Sequence, residues 1–141
     1  MSDRYNLQRF LDAQEPVVEQ VTAELRRGRK TSHWMWFVFP QLKGLGRSPT
    51  AQRFAIGSLE EAQAYHDHPV LGHRLRDWTA IVVELDGVTA EQIFGFPDYL
   101  KFRSSMTLFS RVDNADPIYG KALDKYYRGE PDRKTLSILG L

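Results

Sequence analysis

His33, Trp34 and Trp36 open a stretch, Thr31 to Gln41, in which six consecutive large apolar residues run from Trp34 to Phe39. An imidazole titrates near neutrality and suits acid–base work, and an indole face stacks on planar ligand groups. Just beyond it, Lys43-Gly44-Leu45-Gly46-Arg47-Ser48-Pro49-Thr50 is a glycine loop running into a capped helix, an arrangement that offers backbone amides and positive charge to an anion. The loop lacks the six-position glycine fingerprint of dinucleotide sites, and Gly28-Arg29-Lys30-Thr31 lacks the upstream glycine of a P-loop. A third group is Asp98, Lys101, Arg103, Ser104 and Ser105. On a helix Asp98, Lys101 and Ser105 share one face, while Arg103 falls on the apolar border between Tyr99 and Met106. Ammonium and guanidinium groups suit phosphate or carboxylate, and Arg103 equally suits a structural ion pair with Asp98 or an acid elsewhere. The candidate site is therefore His33 as acid or base, with Trp36, Lys43, Arg47, Lys101, Arg103 and Ser104 as ligand contacts. The competing account makes the Trp34–Phe39 run a central core segment whose indoles need buried partners.

Charge placement favours the same region. Residues 25–59 hold seven basic side chains and no acid: Arg26, Arg27, Arg29, Lys30, Lys43, Arg47 and Arg53. Residues 1–24 hold two basic and five acidic side chains, and residues 60–141 hold ten and thirteen, so a net charge of +1 conceals a local field. A solvated basic face explains the pattern without any ligand. His66 and His68 flank Asp67, too few ligands for a metal site, and none is expected. No serine sits in a G-x-S-x-G elbow. The absence of cysteine removes thiol nucleophiles and thiolate metal sites and suits a reducing cytosol.

The elements that must position these groups are helical. At 141 residues the chain has the length of one domain, 1–141, and clean period-two alternation is nearly absent. The spacing predicts helices from Tyr5 to Ala13 and from Pro16 to Gly28. Ser32 is expected to cap a short helix broken at Pro40. Further starts fall at Ser48-Pro49 and at Ser58, whose partner Glu61 completes a capping box. Leu71, Leu75, Trp78, Val82 and Leu85 mark a central helix ending at Asp86-Gly87, with a strand at Ile81-Val82-Val83 as a minor alternative. Thr89 and Gln92 box a short helix to Gly95. Pro97-Asp98 opens one carrying Tyr99, Phe102, Met106 and Phe109, Asp116-Pro117 another ending at Gly129, and Asp132 caps a terminal turn. The expected fold is all-α, a compact single domain of about seven or eight short and medium helices. No apolar run approaches the ~18 residues of a membrane span, and the first residues do not resemble a signal peptide, so a cytoplasmic protein is expected.

His33-Trp34-Met35-Trp36-Phe37-Val38-Phe39-Pro40-Gln41, His68-Pro69-Val70-Leu71-Gly72 and Ile93-Phe94-Gly95, followed by Asp98, Lys101 and Arg103-Ser104-Ser105-Met106-Thr107-Leu108-Phe109, carry a resemblance over nearly the whole chain. The chain resembles family 1810 of the domains of unknown function, small bacterial proteins sometimes labelled calpastatin. The resemblance implies a mainly helical single domain and supplies no reaction, cofactor or catalytic residue. One departure is Phe54-Ala55-Ile56, where the family pattern has Tyr-Ala-Ile.

Two functions compete. The first is binding of a small anionic, phosphate-bearing and nucleotide-derived ligand in a basic and aromatic cleft; catalysis there, and any cofactor, stay open. The second is a non-enzymatic module whose basic 25–59 segment docks an acidic protein or nucleic acid. Near-neutrality and the lack of a reader motif make nucleic acid the weaker partner.

Overall fold

The computed structural model describes residues 3–141. The helices in chain order are α1 (Gln8–Gln14), α2 (Val18–Arg27), α3 (Met35–Val38), α4 (Pro49–Arg53), α5 (Leu59–Asp67), α6 (Leu71–Glu84), α7 (Ala90–Phe94), α8 (Asp98–Phe109), α9 (Pro117–Tyr127) and α10 (Arg133–Leu139). A 3₁₀ turn, Glu15–Val17, joins α1 to α2. The fold is all-α; its helical segments, of which α3, α4 and α7 have only four or five residues, stand near the expected seven or eight. Among the described residues the only β-type pairing is an isolated bridge between Leu42 and Ile56. The β-branched run Ile81-Val82-Val83 lies inside α6, where the three- and four-residue apolar spacing dominates.

Most predicted caps form. Ser48 accepts from the Ala51 amide, Asp116 from Ile118 and Asp132 from Thr135. Thr89 and Gln92 make the full reciprocal box. The Ser58 box is only half built: Ser58 accepts from the Glu61 amide, but the Glu61 carboxylate turns to the Gly57 amide at 3.1 Å and to Arg9 at 2.8 Å. Ser32 does not cap α3, whose first turn has no side-chain cap. A buried carboxylate, Glu24, takes the Ser32 hydroxyl instead. Pro40 does end α3, with Phe39 at ψ 74°, outside the helical region that a following proline disfavours.

The core is aromatic and continuous. On one side Phe39 meets Phe102 edge-on at 4.9 Å and Phe94 at 5.9 Å, and Phe94 stacks on Phe102 at 4.6 Å. On the other side Phe10 meets Tyr65 edge-on at 5.0 Å, and Tyr65 packs on Phe109. Helix α8 joins the two halves, buried without a break from Ser104 to Phe109. The α5–α6 corner needs Gly72, because a Cβ there would stand 2.0 Å from the His66 carbonyl oxygen.

Glu24 ties the end of α2 to the Trp34 segment. One oxygen accepts from the Thr31 amide at 2.7 Å, the Ser32 amide at 3.0 Å and the Trp34 indole at 3.0 Å; the other accepts from the Ser32 hydroxyl at 2.7 Å. Burial pushes this carboxyl up, yet the donors from Ser32, Thr31 and Trp34 outweigh it and hold the pKa at about 2. His66 is buried edge-on to Tyr119, and burial, then the Arg76 guanidinium, holds its pKa below the ordinary 6.5.

Both groups make acid destabilising. The folded chain resists protonating His66, so stability falls as the pH drops below 6.5, where the unfolded chain takes up that proton. The Glu24 contribution is complete above 4.5 and is lost as the pH falls toward about 2. Thermal melts across pH should show both slopes, with His66→Phe flattening the first and Glu24→Gln the second. Glu24→Gln should also lower stability near neutral pH by about 2 kcal/mol, since donors to a charged acceptor lose their stronger partner.

Candidate functional site

The Glu24 clamp turns the apolar run so that its two indoles have different fates. Trp34 is buried, 1% exposed, with its N–H satisfied. Trp36, two residues on in the single turn of α3, is half-buried and faces α8 across a narrow cleft. Trp78 gives its indole N–H to Thr22 at 3.1 Å, whereas the Trp36 N–H has no acceptor among the described residues.

Lys101 reaches this cleft from the first turn of α8. Its ammonium lies 5.3 Å from the Trp36 ring centre, a cation–π contact. It also stands 3.6 Å from Asp98, whose other oxygen meets Lys30 at 2.9 Å. The three side chains are 23%, 17% and 8% exposed, and the Lys30 ammonium also lies 5.2 Å from the Trp34 ring. Two ammonium groups thus share one carboxylate in a mostly dry setting, and among the described residues one positive charge is left without a partner. Gln41 and Phe54 complete the walls, and no protein group pairs with the Gln41 side-chain amide among the described residues. The glycine loop closes over this end. At Gly46 a Cβ would stand 2.6 Å from the Ala51 methyl and 3.3 Å from Gln41 Nε2, so only glycine lets the loop approach. Phe54, the departure from the family pattern, lines the cleft without a hydroxyl.

Of the predicted site residues, the fold brings Trp36 and Lys101 together. Arg103 sits two positions further along α8, about 200° around the helix. It donates to the Glu130 carbonyl at 2.9 Å, approaches the Glu130 carboxylate at 3.5 Å and lies 5.6 Å from the Tyr127 ring centre. The ion pair expected for it is thus made with Glu130, not Asp98. Ser104 is buried and donates to the Leu100 carbonyl at 3.1 Å. His33, Lys43 and Arg47 are exposed and do not line the Trp36 cleft. Lys43 contributes its backbone, donating to the Ile56 carbonyl beside the isolated bridge.

Sequence reasoning missed Glu24, Gln41 and the role of Lys30. Glu24 had a signal: a buried tryptophan needs an acceptor, and this carboxylate lies on the inward side of an amphipathic helix ten residues upstream. Lys30 was visible only as one of seven cations.

Urea unfolding tests the difference between the two α8 ion pairs. Asp98→Asn should cost on the order of 2–3 kcal/mol, because it leaves Lys30 charged and nearly enclosed. Glu130→Gln, at an exposed acid, should cost less than about 1 kcal/mol.

Comparison with known proteins gives a consistent placement. The family model described as "Protein of unknown function (DUF1810)" matches residues 4–139. The crystal structure of the conserved hypothetical protein Rv1873 from Mycobacterium tuberculosis is 53% identical, covers 99% of each chain and superposes with a TM-score of 0.97. Among curated proteins, none matches this chain. No helix among the described residues is long and apolar enough to cross a membrane.

Proposed function

The chain belongs to the DUF1810 family, and we propose that it binds a small phosphate-bearing, nucleotide-derived ligand at the mouth of the Trp36–Lys101 cleft. The observation that carries this reading is the pair of lysines, one buried and one partly buried, sharing Asp98 beside an indole whose N–H has no acceptor among the described residues. Lys101, Trp36 and Gln41 all line this cleft, so an ammonium, an indole N–H and a side-chain amide are donors an oxyanion there can use. The enclosed part of the cleft is about 10 Å³, room for one water, so only terminal phosphate oxygens enter it. The planar part of the ligand then lies along the outer face of Trp36.

A second reading has one observation in its favour. Arg26, Arg27, Arg29, Lys43, Arg47 and Arg53 are all exposed, and none forms an ion pair among the described residues. An acidic protein docking on this basic segment would use them, with binding that weakens steeply as salt rises.

ADP titrated into the protein should quench tryptophan fluorescence and raise the melting temperature. Lys101→Met should weaken calorimetric binding by at least about ten-fold, and Trp36→Leu should remove the quench, while Arg103→Ala leaves both intact. Absence of any response to ADP, AMP or inorganic phosphate, or full affinity in Lys101→Met, overturns the reading.

A further inference from the structure

A second concavity, distinct from the Trp36 cleft, runs between α2 and α6. The two helices lie side by side in the same direction. Arg74, near the start of α6, reaches Gln14 and Glu15 before α2, Trp78 bonds Thr22 at mid-length, and Gly28 after α2 abuts Leu85 after α6. Val18, Thr22 and Arg26 form one line on α2, four residues apart, and Arg74, Trp78 and Ile81 form the facing line on α6. The groove between them encloses about 430 Å³, within the range of small-molecule sites.

Its floor is apolar and rigid. The Trp78 ring is 2% exposed and held in orientation by the Thr22 hydroxyl, which itself donates to the Val18 carbonyl at 2.8 Å. Val18 and Ile81 are half-buried on either side. Its ends carry charge. Arg74 is engaged, donating to Gln14 at 3.2 Å and Glu15 at 2.8 Å. Asp77 stands on the outer rim, paired with His73 at 3.0 Å on the Arg74 side. At the opposite end the Arg26 guanidinium has no ion pair and no hydrogen bond among the described residues. The run from Val18 to Arg26 spans about 12 Å at 1.5 Å per residue.

We propose that this groove binds a small amphiphilic carboxylate, its apolar body along Val18, Ala80 and Ile81 above the buried Trp78 and its head group on Arg26. Charge complementarity sets both the ligand class and its direction. Among the described residues Arg26 is the unpaired arginine lining the groove, while Asp77 repels an anion and Glu15 already occupies Arg74 at the far end. A groove bounded by charge at both ends, about 12 Å apart, takes a short chain or single ring and not a long peptide.

Calorimetry and melting curves with octanoate, octan-1-ol and octyltrimethylammonium test this. Octanoate should bind and raise the melting temperature, with octanol weaker by roughly ten-fold and the ammonium amphiphile not binding. Arg26→Gln, an exposed change, should bring octanoate down to the octanol level, and Arg26→Glu should reverse the preference toward the ammonium amphiphile. Ile81→Asp should abolish binding of all three while circular dichroism shows the helical fold retained. No octanoate binding at millimolar concentration, equal affinity for octanol, or undiminished octanoate binding in Arg26→Gln overturns the proposal.

Discussion

Glu24 is 2% exposed and has no cationic partner among the described residues, so its charge is balanced by N–H and O–H donors alone. An unpaired carboxylate in such a place would be costly to bury. The donors come from Thr31, Ser32 and Trp34, the residues that carry the chain from the end of α2 into the aromatic core. Satisfying that one anion therefore fixes where Trp34 points, and Trp34 fixes the single helical turn that follows. The tryptophan given to the core and the tryptophan left at its edge are set by the same interaction.

Around this clamp the charges sort by how far they are withdrawn from water. Lys30 and Lys101 lie against the Trp34 and Trp36 rings, and with Asp98 they are mostly enclosed, so their mutual attraction is weakly screened and their imbalance is felt locally. Arg103 pairs with an acid that is 74% exposed, and its main hydrogen bond goes to a carbonyl. That is an anchor for the segment after α9. The exposed cations near Arg47 add to a long-range field that salt attenuates. Cations that look alike along the chain thus divide into an enclosed cluster, an anchor and a surface.

The two concavities differ in kind for the same reason. The Trp36 cleft is narrow and rich in donors because loop, α3 and α8 meet there at a point, with Gly46 permitting the close approach. The α2–α6 groove is longer and apolar because two helices running side by side leave a trough between their side-chain rows, and Trp78 fills its base.

Local chemistry was legible in the chain itself. The helical class, the caps at Ser48, Thr89, Asp116 and Asp132, the break at Pro40 and the burial of Trp34 follow from interactions within a few residues or from side-chain type, and these do not need the fold to be known. Tertiary structure alone decided what depends on distance through space. Ser32 serves Glu24 instead of α3, because a buried carboxylate outbids an exposed cap. Glu61 leaves its box for Arg9, fifty-two residues earlier, and Lys30 finds Asp98 across sixty-eight positions of sequence. Helical geometry already put Arg103 on a different side of α8 from Lys101, but which side faced the indole rested on packing. Residue spacing encodes a direction around a helix, and only the assembled core determines what lies in that direction.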